Sequence, residues 1–321
     1  MANNPELLRL KKNIYDLLDP LITEDYYHLD FPNHSNTGDT LIWAGELAYL
    51  SRLRYRCLYA CDHRLCNKKA ITTPHTILLH GGGNFGDIYP DIQQFRLDII
   101  REFKGNKIIV FPQSVYYKNT DLLIQEANIY NSHPDLTICV RDEYSLNLLS
   151  AHLSNVNILL LPDMAFCLDL SSEIITTEKS RHHLFLKRTD IELSPVNYTV
   201  HLPKDHPIQI KDWPAYDHPV RYYFAKIMTR LSYMIFSLPY GFHLLNPLTG
   251  ILPYAMRENQ IADGIHFINQ YNRIYTTRLH GCILSLLLNK EVILFDNNYG
   301  KNSRFYQAWL KDFNGLRLIN V

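Results

Sequence analysis

The chain has 321 residues, of which 46% are hydrophobic and 20% are charged. This is the composition of a folded protein with an ample core, and the length predicts about two domains of roughly 150 residues each. The 32 basic residues equal the 32 acidic residues, so no global field would attract a nucleic-acid backbone or an anionic membrane. Any recognition of phosphate must therefore be local.

The cysteines and the first residues of the chain bear on its location. The six cysteines form no disulfide-dense stretch, which favours a reducing cytosol. The group Cys57, Cys61, His63 and Cys66 has no paired C-x-x-C knuckle, so buried strand and loop cysteines are favoured over a zinc site. Residues 1–16 lack the apolar core of a signal peptide and predict an amphipathic helix. We therefore expect a cytoplasmic protein.

The first half of the chain alternates short apolar runs with longer mixed segments, which is typical of parallel strands joined by helices. Strands are predicted at residues 26–31, 76–80, 107–111, 136–140 and 157–160, and helices at 41–50, 91–103 and 142–150. Residues 169–183 are rich in Ser, Thr and charge, which suits a linker. We place a domain boundary there, between residues 176 and 177.

The second half shows the same alternation of short apolar runs and longer mixed segments. It predicts strands at 184–188, 273–276 and 292–295, and helices at 222–238, 260–270, 282–288 and 303–313. The last helix is placed to pack back across a cleft onto the N-terminal domain. The apolar stretch around 231–245 is interrupted by Pro239 and Gly241 and is too short to span a bilayer. For the aromatic residues 222–245 we favour a place in the core over contact with a lipid carrier.

The segment from Thr277 to Gly281 places Arg278 and His280 after a strand and before an apolar helix. In an open α/β sheet, ligands collect at the carboxyl ends of the strands, and a helix N-terminus there offers free N–H groups to an anion. Arg278 adds a fork of donors suited to phosphate or carboxylate, and His280 can exchange a proton near neutral pH. Taken alone, a buried histidine that caps the turn is an equally good interpretation.

Three further segments follow predicted strands. Lys301 comes after the next strand and is a natural partner for a phosphate. The glycines of residues 80–87 permit positive φ and a close approach of backbone to ligand, although the segment lacks the P-loop and dinucleotide patterns. A generic glycine turn is the simpler interpretation. Asn36 to Asp39 would form a loop at the same edge, where Asp39 is also suited to cap a helix.

Together these motifs resemble the polysaccharide pyruvyltransferase family. Its recurring marks appear as Asn36 to Asp39, Gly81 to Asp87 and Thr276 to Gly281, and residues 111–114, 141–145, 162–166 and 299–301 are also similar to family segments. The similarity runs from about residue 33 to residue 310, and several motifs in one order are more specific than any single motif. The Pro- and His-rich residues 202–219 depart from the pattern, so the identity of the acceptor transfers least.

The resemblance implies an α/β fold with two Rossmann-like domains that face a cleft, as in GT-B glycosyltransferases. Residues 1–176 would bind the acceptor and residues 177–321 phosphoenolpyruvate. The implied reaction transfers the carboxyvinyl group of phosphoenolpyruvate to two hydroxyls of a sugar in a glycan, which a lipid could carry. The products would be a cyclic pyruvate ketal and phosphate, in exopolysaccharide or capsule biosynthesis. No cofactor and no metal are needed.

The resemblance also assigns roles to residues. His280 is the expected general acid and base, and the donor would be held by Arg278, Lys301, Asn36 and Arg141. The acceptor would be met by Asp39, Gly82, Gly83, Asn84 and Asp87. A cytoplasmic place at the inner face of the membrane would follow if the acceptor is lipid-linked.

Two other functions remain open at this stage. A GT-B-type glycosyltransferase would use the same fold and a cationic cleft to bind a nucleotide sugar. A sugar-binding subunit of a polysaccharide assembly complex would need no catalysis at all. Donor binding separates the first from a pyruvyltransferase, and an activity assay separates the second.

Overall fold

The computed structural model describes residues 4–34, 36–175, 182–190, 192–214 and 257–320, with isolated positions at 227, 230, 231, 234 and 235. Its first sheet contains seven strands, all parallel: β1 (Tyr26–Leu29), β2 (Cys57–Cys61), β3 (Thr76–Leu79), β4 (Gly82–Gly86), β5 (Ile108–Tyr116), β6 (Leu136–Val140) and β7 (Asn157–Leu160). The order is β2-β1-β3-β5-β6-β7, and β4 pairs with β5.

The second sheet contains five parallel strands, β8 (His183–Leu186), β9 (Ile208–Lys211), β10 (Arg273–Thr276), β11 (Glu291–Phe295) and β12 (Leu316–Ile319). Its order is β12-β11-β10-β8-β9. Counted within each sheet, and with β4 set aside, both orders begin 2-1-3-4-5 as in flavodoxin-like folds. Such sheets bind ligands where the strand order reverses, which is between β1 and β3 in one sheet and between β8 and β10 in the other.

The helices are α1 (Pro5–Leu18), α2 (Thr37–Leu50), α3 (Pro90–Glu102), α4 (Thr120–Asn131), α5 (Glu143–Ser150), α6 (residues 257–269), α7 (Leu279–Leu287) and α8 (Lys301–Phe305). A π-helical turn, Tyr306–Leu310, continues α8. Helix α1 illustrates how the sequence sets a boundary: the side chain of Asn4 accepts from the backbone N–H of Glu6, and Pro5 occupies the first turn. Among the described helices, none combines the length and apolar character that a membrane crossing needs.

One hydrophobic core connects the two sheets. It includes Leu41 and Ile109 from the first half of the chain and Leu186, Ile274 and Leu284 from the second, all fully buried. Helices α2 and α7 pack against each other within it. The end of the chain also reaches the first sheet, because Nε1 of Trp309 donates to the carbonyl oxygen of Arg141 over 2.9 Å.

The predicted strands at 136–140, 157–160 and 273–276 are confirmed residue for residue. Three predictions need correction. Residues 82–86 form β4 instead of a turn, because β5 extends to Tyr116 and offers its second half for pairing. Helix α7 begins at Leu279 and not at Cys282, so His280 lies in its first turn. The last helix begins at Lys301 and changes to a π-helical turn before residue 311.

Two predictions concern residues whose structure is not described. The predicted helix at 222–238 falls in a segment where only isolated positions are described, and the aromatic stretch to residue 245 lies beyond them. The predicted domain boundary falls at residues 176–181, which are also outside the described ranges. The division into two domains therefore stays a prediction.

Candidate active site

A cavity of about 380 Å³ lies where the carboxyl ends of strands from both sheets meet. The start of α2 and β4 line one side, and the segments that follow β8, β10 and β11 line the other. Seven of the ten predicted site residues line it, namely Asn36, Asp39, Gly83, Asn84, Arg278, His280 and Lys301. The fold thus brings together residues that are as much as 265 positions apart in the sequence, as Asn36 and Lys301 are (301 − 36).

His280 is held by a buried carboxylate on one side and by a glycine on the other. Its Nε2 atom lies 3.3 Å from Oδ2 of Asp163. Its Nδ1 atom packs on Gly38, where an added Cβ atom would stand only 2.7 Å away. Because a carboxylate can only accept, Nε2 carries the hydrogen of this bond. Nδ1 is then the ring nitrogen that can take up or release a proton at the cavity.

Asp163 is ionised although it is completely buried. Burial by itself would raise the pKa of this carboxyl, but the positive charges of His280 and Arg141 hold the pKa well below its ordinary value. The same oxygen, Oδ2, accepts from Nη1 of Arg141 and from His280. Asp163 therefore orients the histidine. Sequence reasoning gave Asp163 no role, although the family-like segment 162–166 contains it.

Arg141 is fully buried, and two of its three side-chain nitrogens donate hydrogen bonds within the protein. Nε donates to Oγ of Ser114 over 2.9 Å, and Nη1 donates to Asp163. Among the described residues, no acceptor reaches Nη2, which lies 3.2 Å from the place where a Cβ atom on Gly83 would be. A buried guanidinium nitrogen without a partner is costly unless a ligand accepts from it. Arg141 does not itself line the cavity, but its Nη2 is an unused donor beside Gly83, which does.

The ammonium group of Lys301 meets Arg141 at the same spot. A Cβ atom on Gly83 would overlap Nζ of Lys301, so only a glycine there leaves room for the ammonium. Burial lowers the pKa of Lys301 below its usual value, and the nearby charge of Arg141 acts in the same direction against the raising effect of Glu192. Two cationic donors thus converge beside Gly83. We call Arg141, Lys301 and Gly83 the anion centre.

Glu192 balances part of this charge. Its Oε2 atom accepts from Nη1 of Arg188 over 2.8 Å and from the hydroxyl of Tyr299 over 2.7 Å, and it lies 3.8 Å from Nζ of Lys301. Although burial favours its neutral form, Lys301 and Arg188 lower the pKa of Glu192 to about 2. Neither Arg188 nor Glu192 was predicted for the site. Their signal was the Lys-Arg-Thr-Asp-Ile-Glu run that directly follows β8.

Arg278 lines the cavity but shares its charge with two carboxylates. Nε and Nη2 bind both oxygens of Asp212, the latter over 2.6 Å, and Nη1 lies 3.4 Å from Oδ2 of Asp190. Asp212 follows β9, inside the stretch 202–219 that departs from the family pattern. Arg278 would therefore have to bind the donor while it also forms a bidentate ion pair with Asp212, which the sequence did not indicate.

The remaining predicted residues have mainly local bonds. Asn36 caps α2: Oδ1 accepts from the backbone N–H of Gly38, and Nδ2 donates to Asp39 over 2.8 Å. Oδ1 of Asn84 accepts from Nη2 of Arg96 over 2.6 Å.

Three predicted residues do not line the cavity, namely the buried Arg141 described above, Asp87 and Gly82. Asp87 accepts from the backbone N–H groups of Lys118 and Asn119 at 2.8 Å each, which fixes the loop before α4. Gly82 packs against Ile42, and its φ of +123° favours glycine.

The structure also brings together His28, Glu46 and His80, a buried group with the composition of a metal site among the described residues. Oε2 of Glu46 accepts from Nε2 of His28 over 2.9 Å and from Nδ1 of His80 over 2.8 Å. Its Oε1 atom accepts from the backbone N–H of Gly81 over 2.8 Å. These hydrogen bonds account for the cluster without an ion. The sequence could not show that these three residues meet, since they come from β1, α2 and the position directly after β3.

Parallel α/β sheets, with a cavity lined by charged side chains and a carboxylate-held histidine at their strand ends, define a Rossmann-like α/β protein. The sequence profile of the family "Polysaccharide pyruvyl transferase" matches residues 36–299. The chain belongs to this family, and the family makes it a transferase.

Three known proteins illustrate the relationship. A Bacillus subtilis (strain 168) protein named as a candidate pyruvyl transferase, EpsO, is 31% identical over 99% of this chain and 96% of its own length. Pyruvyl transferase 1 of Schizosaccharomyces pombe is 28% identical over 88% of this chain and 69% of its own length. A crystal structure of an uncharacterised protein of Klebsiella pneumoniae matches over the full length of both chains with a TM-score of 0.58 at 20% identity, which shows a shared fold.

Proposed function

We propose that the protein transfers the carboxyvinyl group of phosphoenolpyruvate to two hydroxyls of a sugar, forming a cyclic pyruvate ketal and releasing phosphate. The observation that carries the proposal is the anion centre, where Nη2 of Arg141 and Nζ of Lys301 converge beside the histidine that Asp163 holds. Phosphoenolpyruvate presents two anionic groups next to a carbon that must be protonated. Cationic donors and a proton-transfer group are therefore needed at one place.

The anion centre suits the phosphate of the donor. The guanidinium of Arg141 and the ammonium of Lys301 supply charge-assisted hydrogen bonds, which are stronger than neutral ones. Their charge would also stabilise the phosphate as it leaves. Arg278 and Arg188 line the cavity, but each is bound to carboxylates of the protein. We therefore give Arg141 and Lys301 the main role in holding the donor.

His280 supplies the proton. In the first step a sugar hydroxyl adds to C2 of phosphoenolpyruvate while the methylene carbon takes a proton from His280, which leaves a tetrahedral intermediate. The C2–O bond to phosphate then breaks, and the phosphate leaves with the electron pair of this bond and with the proton of the first hydroxyl. The second hydroxyl bonds to C2 and its proton returns to His280. A positioned acid–base group of this kind contributes roughly 10²- to 10⁴-fold to the rate.

The acceptor is a sugar hydroxyl pair in a glycan, and the side of the cavity formed by Asp39, Gly83 and Asn84 is its proposed place. The description of the matched family points to polysaccharides, which fits exopolysaccharide or capsule biosynthesis. The reaction would take place in the cytoplasm, at the inner face of the membrane if the acceptor is lipid-linked. It requires no cofactor besides the donor substrate.

The direct test is to incubate the protein with phosphoenolpyruvate and a panel of galactosides, mannosides and lipid-linked oligosaccharides. Phosphate release is followed by ³¹P NMR and the product by mass spectrometry. We expect both phosphate and a ketal with at least one acceptor. Phosphate release without a ketal would overturn the proposal. A nucleotide sugar that binds and reacts while phosphoenolpyruvate does neither would establish the glycosyltransferase alternative instead.

A further inference from the structure

A side pocket of about 90 Å³ adjoins the cavity. The two share His34, Asp39, Asn84 and Ile92 as lining residues, so a molecule in the cavity can reach into the pocket. The pocket lies at the ends of β1 and β3, the place where the strand order of the first sheet reverses. Its volume is several times the roughly 10–15 Å³ that one water molecule needs. It has room for hydroxyl groups at the edge of a sugar ring.

His80 lines this pocket and is oriented from behind by a buried carboxylate. Nδ1 of His80 donates to Oε2 of Glu46 over 2.8 Å, which leaves Nε2 as the ring nitrogen available to the pocket. Burial lowers the pKa of His80, but the charge of Glu46 outweighs it and raises the pKa above its ordinary value. The backbone is also fixed, since Nε2 of Gln113 donates to the carbonyl oxygen of His80 over 2.8 Å. A carboxylate that holds one ring nitrogen while the other faces substrate is the usual arrangement of a catalytic histidine.

Asp30 is the second unusual residue of the pocket. It is a buried aspartate with φ of +67°, a left-handed conformation that residues other than glycine rarely adopt. Its Oδ1 atom lies 3.3 Å from Nδ1 of His63, which also lines the pocket. Asp30 places a carboxylate where a hydroxyl could donate to it.

We propose that this side pocket takes the reacting hydroxyl of the acceptor, that Asp30 accepts a hydrogen bond from the acceptor, and that Nε2 of His80 removes the proton of the first hydroxyl. Glu46 is the positioning residue behind His80. This inference rests on the proposed pyruvyl transfer. It divides the proton transfers between two histidines, with His280 serving the donor and His80 serving the acceptor.

The proton balance closes with this division. As the first hydroxyl oxygen bonds to C2, its proton passes to His80 and a proton from His280 forms the methyl group. When the C–O bond to phosphate breaks, the phosphate leaves with the electron pair and takes the proton from His80. The second hydroxyl bonds to C2 and returns its proton to His280. One hydroxyl proton thus ends on phosphate, the other restores His280, and both histidines regain their starting states.

The test compares two isosteric variants. In His80→Asn the side-chain amide can still donate to Glu46 in place of Nδ1, but Nε2 is lost. In the matched control, His28→Gln, the amide replaces the Nε2 donor to the same Glu46 oxygen. With phosphoenolpyruvate and an acceptor that the wild type converts, we expect kcat to fall roughly 10²- to 10⁴-fold in His80→Asn. The Kd for phosphoenolpyruvate and the control variant's kcat should stay within about threefold of wild type, because neither depends on Nε2 of His80.

Asp30→Asn provides a second test that does not disturb the buried hydrogen bonds among His28, Glu46 and His80. Asparagine also tolerates positive φ, so the backbone is retained. Loss of a charged acceptor should raise the KM for the sugar about tenfold or more and leave the Kd for phosphoenolpyruvate unchanged. Wild-type kcat in His80→Asn would overturn the role of His80, and an unchanged acceptor KM in Asp30→Asn would overturn the subsite. A wild type that forms no ketal would instead overturn the proposed function itself.

Discussion

Nζ of Lys301 lies so close to Gly83 that a methyl group on this glycine would overlap it, and the same methyl would stand 3.2 Å from Nη2 of Arg141. Gly83→Ala should therefore displace the ammonium from the anion centre. The end of a lysine side chain is flexible, so the fold should survive. We expect the Kd for phosphoenolpyruvate, measured by isothermal titration calorimetry, to rise about tenfold or more, as for loss of a charge-assisted hydrogen bond.

Gly264→Ala is the matched control. Gly264 lies in α6 and does not line the cavity, and an added methyl group would meet Cγ2 of Thr37 at 3.1 Å. Its Kd for phosphoenolpyruvate should equal that of the wild type. If Gly83→Ala also binds with wild-type affinity while its melting temperature is unchanged, the donor does not bind at the anion centre.

The ion pair between Arg278 and Asp212 predicts that loss of Arg278 lowers the stability of the fold more than the affinity for the donor. Arg278→Gln leaves a buried Asp212 without its bidentate partner, which typically costs about 3–5 kcal/mol of unfolding free energy. The double variant Arg278→Gln/Asp212→Asn should recover most of that loss, as measured by urea unfolding. In this double variant we expect the Kd for phosphoenolpyruvate to rise less than about tenfold. A larger loss of affinity in a variant of restored stability would give Arg278 the main donor-binding role.

The lowered pKa of Lys301 predicts that donor binding weakens in alkaline solution. The ammonium is charged below its pKa, and because burial depresses that pKa, the charge is lost at a lower pH than the 10.5 of an ordinary lysine. The phosphate of the donor stays fully ionised above about pH 7, since its second pKa is roughly 6. The Kd should therefore rise as the pH is raised from 7 towards 10. Lys301→Arg should bind with a flatter pH profile, because arginine stays charged.

A wild-type Kd that is constant up to pH 10 would show that Lys301 does not contact the donor or that the pKa of its ammonium group is not lowered. A loss of affinity in the arginine variant that runs parallel to the wild type would point to a different titrating group. Thermal unfolding at each pH shows whether the protein stays folded across the range.

The sequence predicted most of the scaffold because parallel strands that are buried on both faces form short, continuous apolar runs. The runs at 136–140 and 273–276 correspond to strands without any shift. The sequence did not predict β4, because the glycine-rich residues 82–86 have little β propensity. They form a strand because residues 113–116 of β5 are available for pairing. The start of α7 was also misplaced, because polar Arg278 and His280 do not show the apolar periodicity of a helix.

For the site, too, the sequence predicted local features better than long-range contacts. Residues that follow strands, such as Lys301 and His280, were predictable, since strand ends meet at one edge of a sheet. Their partners were not, because each pairing depends on long-range packing: Asp163 lies 117 positions from His280 and Asp212 lies 66 positions from Arg278. Glu46 was overlooked because it lies among the mainly apolar residues 41–50 of α2. A charge in the middle of such a helix is a signal that could have indicated a buried partner.

The division of roles at His280 gives the sharpest test of the proposed mechanism. In His280→Gln the amide nitrogen can replace Nε2 as donor to Asp163, now 3.3 Å away, while proton exchange at the ring is lost. We expect kcat to fall roughly 10²- to 10⁴-fold with the Kd for phosphoenolpyruvate within about threefold of wild type. Asp163→Asn should differ: it also deprives Arg141 of its counter-charge, so donor affinity and stability should fall together, the latter by about 3–5 kcal/mol. A His280→Gln enzyme with wild-type kcat would remove this histidine from the chemistry and leave Asp163 with a purely structural role.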